Sequence, residues 1–498
     1  MSAMAHLFGS LTTLQLVFLC LALGLAFAFE FVNGFHDTAN AVATVIYTHS
    51  LPPVVAVIWS GMWNLIGVLR SSGLVAFGIV ALLPVELVMN VGSAAGFAMV
   101  FSLLISAIIW NLGTWYLGLP ASSSHTLIGS IMGVGLANSL MKSGSLLNGV
   151  NWNQAKSIGL SLLVSPVVGF VCTAILFLLV KALIRKPELY AEPDPHKAPP
   201  LWIRIILWIT CTGVSFAHGS NDGQKGMGLI MLILIGVVPG VYALNLGAPP
   251  NTVDTILVKS RAAIAFIEKQ TPAALPDPET ASKTLGAYLK SGGTYNDMVL
   301  PALAEKNTEI DAMLVGRKTM GDVPENQRAA LRTAFYYTAE TISKLNKGKV
   351  LKDTKGAAML ALYQTTIETV TKFIPIWVKV AVATALGFGT MIGWKRIVVT
   401  VGEKIGKSHL TYAQGACAEL VAMITIRLAD VYGLPVSTTH VLSSGVAGSM
   451  AANHSGLQMN TLRNLLMAWV LTLPVCIFLG AMFFAGGLLV LANVFGVR

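Results

Sequence analysis

The sequence predicts an all-α polytopic membrane protein built from two related halves, and three observations predict it. The 498 residues are 54% hydrophobic and 11% charged, with a mean hydropathy of +0.70, which is too apolar for a soluble chain of this length. Apolar runs long enough to cross a bilayer, about 20 residues each, recur along the whole chain. Finally, Gly118-Leu-Pro-Ala-Ser-Ser-Ser-His-Thr126 returns as Gly433-Leu-Pro-Val-Ser-Thr-Thr-His-Val441.

The first run, Leu11 to Phe31, has no Lys or Arg before Arg70. It lacks the basic region of a signal peptide, although Ala26-Phe27-Ala28 resembles a cleavage site, and reads as a retained helix. Further spans are expected at Val54 to Leu69, Gly96 to Leu117, Ile158 to Ile184, Leu201 to Ala217, Leu229 to Leu244, Ile374 to Ile392, Ala413 to Ala429 and Leu465 to Val494. The polar-tipped stretches Ser122 to Leu140 and Ser437 to Ala452 either span or enter and return.

Two motif spacings support a duplication. Asp37 to Asp222 is 185 residues and Pro120 to Pro435 is 315, a difference of 130, and the polar stretch Leu246 to Phe373 accounts for 128 of these. The division expected is a first transmembrane repeat at 1–184, a linker rich in Pro and charge at 185–200, the start of a second repeat at 201–245, a soluble insert at 246–373, and the rest of the second repeat at 374–498. The insert opens Pro-rich and reads as partly helical, at Gln327 to Leu345 and Ala357 to Thr371, with no ligand constellation. The span count does not separate a parallel from an inverted duplication.

The net charge of +10 points to topology. Excess Lys/Arg belongs in cytoplasmic loops, which suits Arg185-Lys186 and Lys395-Arg396 to Lys407, and no basic patch interleaves with aromatics as nucleic-acid binding would need. The five Cys fall in apolar runs at irregular spacing and read as small core residues.

Ionisable groups at membrane depth cost about 2.5 to 3.5 kcal/mol and are functional candidates by default. Asp37 and Asp222 stand at equivalent positions beside Gly, Asn and His. They read as breaks in apolar runs, where a carboxylate either caps a new helix or serves a cation beside unwound backbone. The Ser122-Ser123-Ser124 and Ser437-Thr438-Thr439 clusters follow Pro at what would be helix starts. Hydroxyls with free amides there suit a tetrahedral oxyanion; packing by small residues is the alternative. His36, His125, His218 and His440 either carry a proton or are structural. Glu30 lies seven residues before Asp37, so the two share a face if the helix is continuous, which Gly34 puts in question. Glu419 and Arg427 lie two turns apart on one run, while Lys225 pairs with Asp222 or meets an anion.

These motifs, Asn33-Gly34-Phe-His-Asp37-Thr-Ala-Asn40-Ala, His218-Gly-Ser-Asn221-Asp222-Gly-Gln-Lys-Gly226 and the two Gly-Leu-Pro-x-Ser-x-x-His copies, resemble those of the inorganic phosphate transporters of the PiT family. The low-affinity bacterial permeases look closest. The resemblance implies two inverted repeats with broken helices or helical hairpins meeting at mid-membrane, in a multi-pass protein of the bacterial inner membrane. It nominates Asp37, Asn40, Ser122, Ser123, Ser124, Asn221, Asp222, Ser437, Thr438 and Thr439 for substrate, with Asp37 and Asp222 also for metal.

The function this implies is secondary import of inorganic phosphate by symport with protons, with a neutral divalent metal-phosphate complex, such as that of magnesium, as a candidate cargo. Sodium coupling, or a sulfate or divalent-metal transporter of the same build, is the alternative. No cofactor and no nucleic acid are expected, and a homodimer is among the expected assemblies. The chain departs from the family in having His36 where many members have Asn, and the second motif has Lys225 where the first has Asn40, so the site is expected to be asymmetric. An enzyme is not expected: a hydrolase pairing Ser122 or Ser124 with His125 would need neighbours that seldom align in a helix, and one site, not two copies.

Overall fold

The computed structural model describes residues 11–83, 87, 92–144, 146, 149–194, 198–271, 274–290 and 293–494, with backbone alone at 38–40, 143, 492 and 494. These residues form helices and, among those described, no strand. Among the described residues six helices are long and apolar enough to cross a membrane, or seven if the bent pair Thr354–Thr371 and Ile376–Met391 is one span. The chain divides into two compact units: one of residues 1–19, 84–96 and 231–373, the other of 20–83, 97–230 and 374–498.

The second unit begins with α1 (Thr13–Tyr47), most of which it contains, then α2 (Pro53–Arg70), the short α3 (Leu74–Val80), α4 (Ala94–Tyr116), α5 (Ser123–Ser143) and α6 (Trp152–Leu183). Next comes α7 (Leu201–Val237), whose last residues pass into the other unit together with α8 (Pro239–Tyr242). After the insert follow α14 (Ile376–Met391), α15 (Lys395–Glu403), α16 (Tyr412–Val431), α17 (Thr438–Ala452) and α18 (Met459–Val494).

The structure corrects one expectation. Neither Asp motif breaks its helix: α1 runs unbroken for 35 residues through Asp37, and α7 for 37 residues through Asp222, joining two of the expected spans. The glycines read as breakers serve close approach instead. A Cβ on Gly34 would strike the Leu386 carbonyl and Thr390 amide of α14, and one on Gly219 would strike the Asn64 backbone of α2. Glycine there lets two backbones touch, which fixes α1 on α14 and α7 on α2.

The chain does break at the other two motifs. Gly118 and Gly433 take φ of +68° and +66°, a left-handed turn that favours glycine, and an extended segment carrying Pro follows each. Ser122 then caps α5 by accepting the His125 amide (3.2 Å), and Ser437 caps α17 by accepting the His440 amide (3.1 Å). Each capping hydroxyl satisfies an amide that the helix cannot.

The polar-tipped helices exchange partners between the halves. Helix α5 packs on α18 and α17 packs on α6. Pro166 in α6 and Pro474 in α18 both lie inside their helices. A proline there removes one backbone donor, and at Pro166 the Ser165 hydroxyl donates instead to the freed Leu162 carbonyl (3.4 Å).

The insert is more helical than its sequence suggested. Helices α9 (Thr252–Gln270), α10 (Pro278–Leu289), α11 (Val299–Leu314), α12 (Glu325–Lys347) and α13 (Thr354–Thr371) enclose an apolar core that includes Ile256, Leu285, Leu303, Phe335 and Leu360. Asp277 caps α10 and Asp353 caps α13. Arg332 closes the base, donating to the carbonyls of Ala243 and Thr371 at 2.8 Å each.

Candidate functional site

Because α1 is continuous, Asp37 projects from a helix and not from unwound backbone, and its carboxylate meets the polar tips of both α5 and α17. Ser123 at the start of α5 donates to Oδ2 (2.8 Å), and Thr439 at the start of α17 donates to Oδ1 (2.5 Å). Two hydroxyls from opposite halves therefore bracket one carboxylate, which is fully buried.

Around this core, α7 supplies the second motif. Lys225 Nζ lies 2.7 Å from Asp222 Oδ2 and donates to Ser123 Oγ at 3.1 Å. His218 Nε2 stands 3.3 Å from Asp222 and 4.0 Å from Asp37, and its Nδ1 meets Asn64 Oδ1 at 2.6 Å. His36 lies 3.5 Å from Asp37 Oδ1 and 3.1 Å from the Thr114 hydroxyl. Asn221 donates to the Leu434 carbonyl at the second hairpin (3.2 Å) and leaves its own side-chain oxygen unpartnered. Ser124 donates to the Val436 carbonyl (2.7 Å).

The tips also meet each other. The rings of His125 and His440 lie 4.7 Å apart, and His440 stacks on Trp469 at 4.0 Å. Trp469 in α18 donates its indole N–H to the Pro120 carbonyl (3.0 Å), and Ser161 in α6 donates to the Pro435 carbonyl (2.9 Å). Each polar tip is thus tied through the proline carbonyl before it to a long helix of the opposite half.

Ligand atoms of Asp37, His218 and Asp222 lie within 4.8 Å of one another, close enough to share one cation. The metal pair expected from sequence thereby gains His218. Lys225 already faces one oxygen of Asp222, so the Asp37 side is the more open to an added positive charge. Hydroxyl and carboxylate oxygens around Asp37 suit a hard cation, and the unpartnered Thr438 hydroxyl and ring nitrogens of His125 and His440 supply hydrogen-bonding capacity for an anion.

Not every candidate joins this cluster. Glu30 is buried against Gly226, where an added Cβ would strike its side chain, and it feels the charges of Lys225 and Asp222. Glu419, on α16, lies beside α1 two turns beyond Asp37, accepting from Thr44 and from Thr210 (2.5 Å). Arg427 pairs not with Glu419 but with Asp430 (2.6 Å) and the Ser220 hydroxyl. The side chain of Asn40 lies outside the described residues.

Sequence reasoning missed Asn64, Thr114, Ser161 and Trp469. Asn64 carried a signal, being an amide inside an apolar run; Trp469 carried none, since a tryptophan in a membrane helix is ordinary.

Comparison with known proteins places these residues in context. Residues 33–480 match the model of the phosphate transporter family. The chain is 41% identical over 496 residues to the low-affinity inorganic phosphate transporter PitB of Escherichia coli strain K12, covering 96% of this chain and 98% of the relative. It is 42% identical over 493 residues to PitA of the same strain, with the same coverage, and 27% identical to a probable low-affinity inorganic phosphate transporter of Bacillus subtilis, covering 92% and 93%. A solved structure titled as the sodium-dependent phosphate transporter matches with a TM-score of 0.51 at 20% identity, covering 94% of this chain and 98% of that one. That likeness concerns the fold.

Proposed function

The chain belongs to the phosphate transporter family, and from that premise we propose that it binds inorganic phosphate between the two hairpin tips and carries it inward by proton symport. It is a phosphate transporter of the membrane and not an enzyme. The observation that carries the site reading is the bracketing of Asp37 by Ser123 and Thr439, one hydroxyl from each half. A substrate that replaces these internal bonds couples both hairpins to its own arrival, as alternating access between two repeats requires. An inverted relation of the halves accounts for the exchanged packing of α5 with α18 and α17 with α6.

Proton coupling is favoured by four histidines at the site, His36, His125, His218 and His440, with Glu30 and Glu419 as buried carboxyl groups nearby. A metal-phosphate complex is a compatible cargo, its metal meeting Asp37, His218 and Asp222, and the bacterial inner membrane is the matching location. The second reading is sodium coupling, favoured by the oxygen-rich surroundings of Asp37. Uptake of labelled phosphate into proteoliposomes, with proton and sodium gradients imposed separately, tests the choice. Uptake that follows sodium at fixed pH and ignores a proton gradient overturns the first reading, and competition by sulfate as strong as by unlabelled phosphate overturns phosphate specificity.

A further inference from the structure

The two halves correspond by position but not by bonding. Asp37 matches Asp222 at an offset of 185, while the hairpins match at 315, so that Ser123 corresponds to Thr438 and Ser124 to Thr439. Asp37 accepts from Ser123 and Thr439. Full equivalence would give Asp222 the hydroxyls of Thr438 and Ser124. It receives neither: Thr438 Oγ1 is buried without a partner, Ser124 turns to the Val436 carbonyl, and among the described residues no hydroxyl donates to either oxygen of Asp222.

A side chain stands in their place. Lys225, three residues after Asp222 where the first motif has Asn40 three residues after Asp37, puts its ammonium 2.7 Å from Asp222 Oδ2 and reaches Ser123 Oγ at 3.1 Å. It is among the largest side chains with no exposed surface. An ammonium is a compact point charge with three donors, able to neutralise a carboxylate and to bond a hydroxyl oxygen as a bound monovalent cation would. Being covalently held, it does not leave with the cargo.

We propose that the Lys225 ammonium is a tethered cation filling the second of two equivalent cation positions, so that only the Asp37 position takes an exchangeable cation. This rests on the reading that Asp37 and the hairpin tips form the substrate site. It assigns Lys225 a fixed charge throughout the cycle and makes it the residue that sets how many dissociable cations accompany phosphate.

The test uses full-length protein in nanodiscs at fixed pH, with labelled phosphate and with sodium varied against choline. Lys225→Asn restores the first motif's residue. The expected result is that its slope of log Kd for phosphate against log sodium gains one unit in magnitude over the parent's. Its affinity in choline falls at least tenfold and returns to within threefold of the parent's at high sodium. Sodium also raises the Tm of Lys225→Asn, but not that of Lys225→Arg or of the Lys225→Asn/Asp222→Asn double variant, in which no carboxylate needs a cation. The proposal is overturned if Lys225→Asn keeps the parent's slope, if no alkali cation restores its phosphate binding, or if sodium fails to raise its Tm above the double variant's response. A parent that binds no phosphate in any salt refutes the underlying site reading instead.

Discussion

Asp37 and Thr439 lie 402 residues apart in the chain, and their side chains meet at 2.5 Å. This one hydrogen bond joins a helix of the first half to the polar tip of α17 in the second.

Asp37→Asn is expected to lower phosphate uptake at least 100-fold while leaving membrane insertion intact. The amide preserves shape, but its NH2 cannot accept from either hydroxyl, so one of the two donors is stranded. Proteoliposome uptake at matched protein content is the measurement, and wild-type rates would remove the carboxylate from the mechanism.

Asp222→Asn is expected also to abolish uptake, and to cost more stability than Asp37→Asn. It leaves Lys225 as a buried charge without its partner, and breaking a buried pair costs about 3 to 5 kcal/mol. Comparing the Tm of the two variants in detergent tests this; an equal or smaller loss for Asp222→Asn contradicts it.

Thr439→Val keeps the shape of the side chain and deletes the donor to Asp37. A hydrogen bond to a charged group contributes about 1.5 to 3 kcal/mol, so a change of roughly tenfold or more in apparent phosphate affinity is expected, with Thr439→Ser close to the parent. Concentration dependence of uptake measures it. Indistinguishable valine and serine variants would show that the hydroxyl is dispensable.

Gly34→Ala is expected to destroy the folded yield, because the obstacle it meets is backbone at Leu386 and Thr390 of α14. Gly24→Ala on the same helix meets nothing within 4 Å and should gain up to about 1 kcal/mol from helix propensity. Fluorescence-detected size exclusion of both variants checks the contrast, and a well-behaved Gly34→Ala would mean the helices can part.

Arg332→Leu is expected to loosen the base of the insert by about 2 to 3 kcal/mol, since it deletes two charge-assisted bonds, to Ala243 and Thr371. Hydrogen exchange in the full-length protein should quicken at the C-terminal end of α13 and leave α5 and α17 unchanged. Unchanged protection at 365–371 would contradict the role given to Arg332.

The sequence by itself determined what acts over a single turn. Gly-Leu-Pro followed by a hydroxyl states a break and a new capped helix wherever it falls, which is why Ser122 and Ser437 were legible as helix starts. The recurrence of the Gly-Leu-Pro motif was legible too, as were the apolar runs and the polar stretch between them, because spacing and composition need no partner to be read. Tertiary structure alone decided the rest. Gly34 and Gly219 are compatible with a break or with close packing, and only the backbones of α14 and α2 against them select the second. Likewise Asp37 offers the same carboxylate in any setting, yet which hydroxyls it holds, and that Asp222 holds an ammonium instead, depends on contacts between residues hundreds of positions apart, which no local preference specifies.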